Sequence, residues 1–379
     1  MAPPEPRGSA IGLSAHVHTA IAHDYLTQHG GAERVVLVLA EAFPGAPVHT
    51  SFYDPRGTFP EFAEVDIRTQ PLDRITFLRH HPRAALPLLA PSFSRVRIDA
   101  DVTVCSSSGW AHGVQTTGRK VVLCYTPARW LYQGDRYLGE DRRPVARAAL
   151  SVLARPLRRW DRRAAASADR YVVISTAIRD RVREAYGRDA EVLPPPPALG
   201  IDHRQRPVDG TEPGFWLCVS RLLPYKHVDA VIESFASLPA EHLVVVGDGP
   251  QSPALRAQAG TNVSMAGRVD DDQLAWLYAN CRGVVLASHE DYGLVPLEAA
   301  TFGKPAVVLA WGGFLDTVVP GSTGVFFDEP DPRAIVRAVA EASAAEWSGP
   351  AITAQADLFS RERFISRLRS LVAEERSLR

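Results

Sequence analysis

The strongest constraint in this chain is an alternation. Short β-branched runs recur along it: "HTAIAHDY", "ADVTVCSS", "RKVVLCY", "DRYVVIS", "FWLCVS", "HLVVVGDG", "RGVVLAS" and "PAVVLA". Between them lie helical patterns such as "GAERVVLVLAEAF", "TAIRDRVREAYG", "VDAVIESFASL" and "DQLAWLYANC". Continuous apolar strands alternating with helices build parallel sheets covered on both faces, so the fold class is α/β. The rhythm stops at Pro194–Gly214, "PPPPALGIDHRQRPVDGTEPG", which is rich in Pro and Gly and reads as a linker. With 379 residues, two domains are expected rather than one core. The predicted organisation is a disordered stretch over 1–17, a first domain over 18–195, a linker over 196–213, a second domain over 214–354, and an amphipathic C-terminal helix over 355–379. Two doubly wound, Rossmann-like domains then face each other across a cleft, because ligands of such sheets bind beyond the strand carboxyl ends.

Composition narrows the partners. A net charge of −1 gives no reason to expect nucleic acid. Cys105, Cys124, Cys218 and Cys281 are far apart and form no CxxC pair, which predicts reduced structural thiols and a cytoplasmic protein. No apolar run approaches the roughly 18 residues of a membrane span, and the start lacks a signal-peptide core. Two stretches, "RITFLRHHPRAALPLLAPSF" (74–93) and "RRPVARAALSVLARPLRRWDRR" (142–163), mix cations with apolar residues. They fit a peripheral contact with the inner membrane surface, or equally helices packed on a sheet with solvated arginines.

The second domain carries the densest chemistry. Arg221 and Lys226 follow the strand "FWLCVS" within one loop, a natural anion clamp, although a solvated surface pair has the same spacing. Gly247 and Gly249 allow a tight turn after "HLVVV". Ser252 stands where a dinucleotide fingerprint needs its third glycine, and Pro305 after Gly303-Lys304 rules out a Walker sequence. In "SHEDYGLVPLEAATFGKP" (288–305), Pro296 suits the first turn of a helix and Gly303 its C-terminal cap. Glu298 is then expected in that first turn and Glu290 in the loop before it. The backbone N–H groups of Gly293, Leu294 and Val295 form a ready phosphate site between the two carboxylates. Sugar, diphosphate and ribose in that order would fit a nucleotide sugar; the plainer alternative is that Glu298 only complements the helix dipole.

In sequence order, the Arg221-x4-Lys226 pair, "GDGP", "AGRV" (266–269), "HEDYGLVPLEA" and "GGFLDTV" (312–318) resemble the retaining glycosyltransferases of family four, which have the GT-B fold. "IAHDYLTQHGGAERVVLVLAEAF" is similar to that family's first strand, glycine loop and helix. "EDYGLVP" and "PYKHVD" look most like a branch rich in GDP-mannose-dependent mannosyltransferases of polysaccharide assembly. The resemblance implies roles. Arg221 and Lys226 would hold the leaving diphosphate, Glu290 the donor-sugar hydroxyls, and Glu298 the ribose. Gly267, Arg268 and Val269 would meet the base, with Gly247, Asp291, Gly293, Leu294 and Val295 completing the donor site. Gly30 and Gly31 would let backbone approach the donor phosphate and the acceptor. The last helix would cross back to the first domain. The favoured chemistry is same-face attack on a nucleoside-diphosphate sugar, without cofactor or metal. The acceptor would be a glycan, a lipid-linked glycan or a small molecule.

One departure stands out. Where the family often has His-Thr-Pro, this chain reads "CYTP", with Tyr125 in the histidine's position and so a candidate at the donor sugar. Arg129 and Trp130 follow as acceptor candidates, an aromatic beside an arginine suiting a sugar. His112 and Asp24, at the ends of strands, are the other two. "VDDD" (269–272) reads as a helix N-terminus rather than a metal site. A nucleotide-sugar-binding protein without catalysis is the competing reading, and Tyr125 is the feature that favours it.

Overall fold

The computed structural model describes residues 17–132 and 144–378, with the side chains of residues 82, 83, 130 and 144–152 left out. The expected disorder over 1–17 falls almost wholly outside the described residues. The first sheet contains β1 (Thr19–His23), β2 (Val48–Thr50), β3 (Ile67–Thr69), β5 (Val102–Ser107), β7 (Arg119–Cys124), β8 (Arg170–Val173) and β9 (Glu191–Val192). Its order is β3-β2-β1-β5-β7-β8-β9, with every pair parallel. A separate parallel pair joins β4 (Arg97–Ile98) to β6 (Gln115–Thr116).

The second sheet contains β10 (Trp216–Val219), β11 (Leu243–Val246), β12 (Val263–Gly267), β13 (Gly283–Leu286), β14 (Ala306–Leu309) and β15 (Gly324–Phe327). Its order is β12-β11-β10-β13-β14-β15, again all parallel. Central strands such as β1, β5, β11 and β14 are buried along their whole length, as their unbroken apolar character requires. In each sheet the winding direction reverses between two neighbours, β1 and β5 in the first, β10 and β13 in the second. Loops diverge there and leave a crevice.

Each sheet has its own hydrophobic core. The helix Arg361–Ser377 follows the second domain in sequence but buries Phe364, Leu368, Leu371 and Val372 in the first core. Its buried Glu375 accepts from Arg119 and Arg170 of the first sheet, at 2.7 and 2.8 Å, so apolar burial and charge fix the helix to the same surface. The chain is thus two Rossmann-like domains with a helix crossing back. All four cysteines are buried free thiols. Among the described residues no helix is long and apolar enough to cross a membrane.

Candidate functional site

The carboxyl rim of the second sheet is built by close backbone contacts. A Cβ on Gly247 would lie 1.9 Å from the Ser220 carbonyl oxygen, and one on Gly249 2.3 Å from that of Leu222. The glycines of "GDG" therefore let this loop press against the one carrying Arg221; they are not remnants of a dinucleotide fingerprint. That loop turns through Pro224–Lys226 and passes His227, the sole non-glycine with positive φ (49°) among the described residues. The turn folds Lys226 inward, leaving it 8% exposed. Arg221 stays exposed, its guanidinium donating to the Tyr225 hydroxyl at 3.1 Å.

Lys226 Nζ donates to Glu290 Oε1, which also accepts from Ser288 Oγ at 2.9 Å. Burial works to raise the Glu290 carboxyl, but Lys226, Ser288 and Arg129 outweigh it and hold it below the ordinary carboxylate value. Gly293, at φ 97°, starts the helix Leu294–Thr301, and Gly303, at φ 70°, follows its end. The helix begins two residues earlier than expected, with Pro296 third. Glu298 is consequently its fifth residue, in the second turn, and serves no first-turn dipole role. It is buried and accepts from the Tyr278 hydroxyl at 2.8 Å. Burial pushes its carboxyl above the ordinary value. After β12, Gly267 adopts φ 71°, Val269 is half-buried, and the exposed Arg268 lies 3.3 Å from Asp248. Asp270 caps the helix Asp271–Asn280 in a capping box, so "VDDD" is a helix start.

The first domain meets this rim through its glycine loop. Gly30 caps the helix Gly31–Ala42, and a Cβ on Gly31 would lie 3.0 Å from Leu294 Cδ1. Arg34, in the same helix's first turn, donates to both oxygens of Asp271 at 2.8 and 2.7 Å. The glycine loop, the helix Leu294–Thr301 and the loop carrying Lys226 thus converge between the two domains.

A family model described as "Glycosyltransferase Family 4" matches residues 29–197, and one described as "Glycosyl transferases group 1" matches 201–354. The chain belongs to glycosyltransferase family 4. A GDP-mannose-dependent alpha-(1-6)-phosphatidylinositol monomannoside mannosyltransferase of Mycolicibacterium smegmatis is 30% identical over 227 residues, 52% of this chain and 56% of that one. A D-inositol 3-phosphate glycosyltransferase of Mycolicibacterium gilvum is 31% identical over 162 residues, 40% of this chain and 35% of that one. The chain spans about half the length of the curated relatives it matches. Among solved structures, a sucrose-phosphate synthase from Thermosynechococcus elongatus superposes with TM-score 0.69 at 17% identity, covering 96% of this chain and all of that one. Anabaena Alr3699/HepE in complex with UDP and glucose gives 0.67 at 19% identity, with 96% and 100% covered. These likenesses show the GT-B fold.

Several first-domain candidates of this family-4 chain are engaged by partners within the protein. Asp24, 4% exposed, accepts from the backbone N–H groups of Ser108, Trp110 and Ala111 at 2.6, 3.1 and 2.6 Å. Its oxygens staple the loop after β5 from within the first domain, and burial rather than an acceptor contact defines its surroundings. His112, 1% exposed, lies 3.3 Å from Ser107 Oγ and 3.0 Å from Asp161. That Ser-His-Asp string imitates a catalytic relay, but it is enclosed with Trp160 and Tyr186 and no substrate reaches it. The Tyr125 hydroxyl is bonded to Ser106 Oγ at 2.8 Å and directed at the Ala32 carbonyl, next to Gly31; burial pushes its phenol far up. Arg129 donates to Asp291 through Nε and Nη2, a pairing between the two domains directly beside Glu290. The Trp130 side chain lies outside the described residues.

Residues the sequence reading passed over include Arg34, Arg181, Tyr278 and Asp316. Arg181 joins Asp291, and Asp316 accepts from the Thr176 N–H and hydroxyl at 2.7 and 2.6 Å. Asp316 sits in "GGFLDTV", a quoted motif, yet nothing local distinguishes it. Glu33 is a further one: it is buried, Gln28 donates to its Oε1 at 3.0 Å, and burial raises its carboxyl.

Proposed function

We propose that this family member is a retaining glycosyltransferase that moves a hexose, with GDP-mannose the favoured donor, to a hydroxyl of a glycan, lipid-linked glycan or small-molecule acceptor. The observation that carries this reading is the grouping of Arg221, Lys226, Glu290 and the helix starting at Leu294 opposite the glycine loop at Gly31. The 30% identity to a GDP-mannose-dependent enzyme supports the choice of donor.

The chemistry follows from charge. Cleaving the bond to a diphosphate adds negative charge to the leaving group, and preorganised cations in a drying cleft stabilise that development. Lys226 and Arg221 supply them, assisted by the N–H groups at Leu294. In same-face attack the leaving phosphate takes the acceptor proton, so no second carboxylate is required as nucleophile. Glu290 binds the sugar hydroxyls and Glu298 the ribose. The cations also make a metal unnecessary: activity is expected to survive EDTA, and complete loss restored by magnesium or manganese would refute this.

The face 74–93 exposes Ile75 (48%), Phe77 (62%) and Leu88 (45%) among arginines and histidines, which supports peripheral contact with anionic lipid beside a lipid-linked acceptor. Sedimentation with anionic against neutral vesicles tests it.

A second reading is a nucleotide-sugar-binding protein without catalysis, favoured by Tyr125 tied to Ser106. A thermal-shift screen of GDP-, UDP-, ADP- and TDP-sugars identifies the donor, since a ligand bound by the native state alone raises its stability. Release of nucleoside diphosphate with an acceptor present then decides catalysis. Binding without release would establish the second reading.

A further inference from the structure

Asp291 follows Glu290 directly and is 6% exposed. Its carboxylate is gripped by two guanidiniums of the other domain. Arg129 donates through Nε at 2.9 Å, and Arg181, on the helix Thr176–Tyr186, through Nη1 at 2.5 Å. The backbone is held as well. Ser175 Oγ donates to the Asp291 carbonyl at 2.5 Å, and the Tyr292 hydroxyl donates to the Pro195 carbonyl. Arg181 also covers the Trp311 ring at 5.3 Å. On the opposite side, Gly313 N–H donates to the Glu290 carbonyl at 2.9 Å, and a Cβ on Gly312 would lie 2.2 Å from that same oxygen. The donor loop is therefore wedged between its own domain's glycines and the first domain's arginines.

We propose that Arg129 and Arg181 are positioning residues that orient Glu290 by holding Asp291, so that docking of the two domains and alignment of the sugar-reading carboxylate are one event. This rests on the assignment of Glu290 to the donor sugar. The physical case is the cost of separation. If the domains part, a nearly buried carboxylate loses both counter-charges at once, and the loop loses its two backbone anchors. Lys226, Arg221 and Glu298 belong to the second domain, and their side chains bond to Glu290, Tyr225 and Tyr278 rather than to Asp291, so they do not depend directly on that grip. Pulling the clamp apart should thus spare nucleotide binding and damage transfer, a split that a general loss of structure would not produce.

The test uses the full chain with Arg181→Ala, Asp291→Asn, their double variant, and Arg181→Lys. The expected result is free nucleoside diphosphate bound within about twofold of wild type by calorimetry, with kcat for transfer lowered about tenfold or more. The double variant should be no worse than Asp291→Asn alone, because the two changes remove one interaction. Arg181→Lys, which keeps the charge, should recover most of kcat. Unchanged kcat, additive losses, or nucleotide affinity falling in parallel with kcat would each overturn the proposal. Glu290→Gln is run beside them. If it leaves transfer intact, the sugar-reading assignment fails. Small-angle scattering then still reads the clamp, since Arg181→Ala should widen the molecule and an unchanged radius of gyration contradicts the grip.

Discussion

At the end of β1 the Asp24 carboxylate accepts three backbone N–H groups of its own domain; at the loop after β13 the Glu290 carboxylate accepts from the Lys226 and Ser288 side chains. Both are acids just past a buried parallel strand at a topological switch point. One is saturated by fixed amides and does structural work. The other is paired with the inward-folded Lys226 ammonium, a charge that a diphosphate could share. The two rims differ in how their strand-end polar groups are satisfied, a property of the fold and not of residue type.

The comparison breaks most readily at the cations. Arg221→Ala or Lys226→Ala should lower turnover about a hundredfold, since losing one preorganised donor to developing charge costs roughly 3 kcal/mol. The fold should survive, as judged by circular dichroism and the urea midpoint. Near-normal turnover in both variants would make the second rim as structural as the first.

On the first rim, Asp24→Ala should cost about 3 kcal/mol of stability, because three buried N–H groups lose a charged acceptor. Its acceptor KM should change less than about twofold. An acceptor defect without a shift in the urea midpoint would return Asp24 to the acceptor site.

The smallest effect is in the pH dependence. The folded Glu290 carboxyl lies below its ordinary value of 4.5, so the stability it contributes is fully present above that pH and is lost as pH falls through the folded value. The advantage of wild type over Glu290→Gln, roughly 1 kcal/mol for this partly exposed pair, should shrink below pH 4.5. A constant gap down to strongly acidic pH would show that the Lys226 pairing contributes nothing.

The eight strands read from β-branched runs are present, and they are the inner ones. β3, β9, β12 and β15, at the sheet edges, and the three-residue β2 gave no signal. Edge strands are covered on one side only; β3 and β9 bury none of their residues fully and β12 only Val263, so their sequences need not be continuously apolar. The second-domain candidates stood out for a related reason. Arg221, Lys226 and Glu290 lie in loops, and Glu298 in the helix that follows, and glycines and prolines announce those turns. Asp24, His112 and Tyr125 misled because a strand-end position tells nothing about which neighbouring amides or hydroxyls fill a side chain's hydrogen bonds. Arg181 was invisible because its partner is 110 residues away and its own helix reads as ordinary charged surface.

The central claim is that Glu290, before the helix Leu294–Thr301, and Glu298, within it, read opposite ends of the proposed donor. Calorimetric titration of the nucleoside diphosphate into Glu298→Gln and Glu290→Gln tests it most directly. A hydrogen bond to a charged group contributes roughly 1.5–3 kcal/mol, so Glu298→Gln should bind the nucleotide on the order of ten- to a hundredfold more weakly. Glu290→Gln should bind it nearly as wild type does, while transfer falls. If instead Glu290→Gln loses nucleotide affinity and Glu298→Gln keeps it, the donor lies in the opposite direction and the account is wrong.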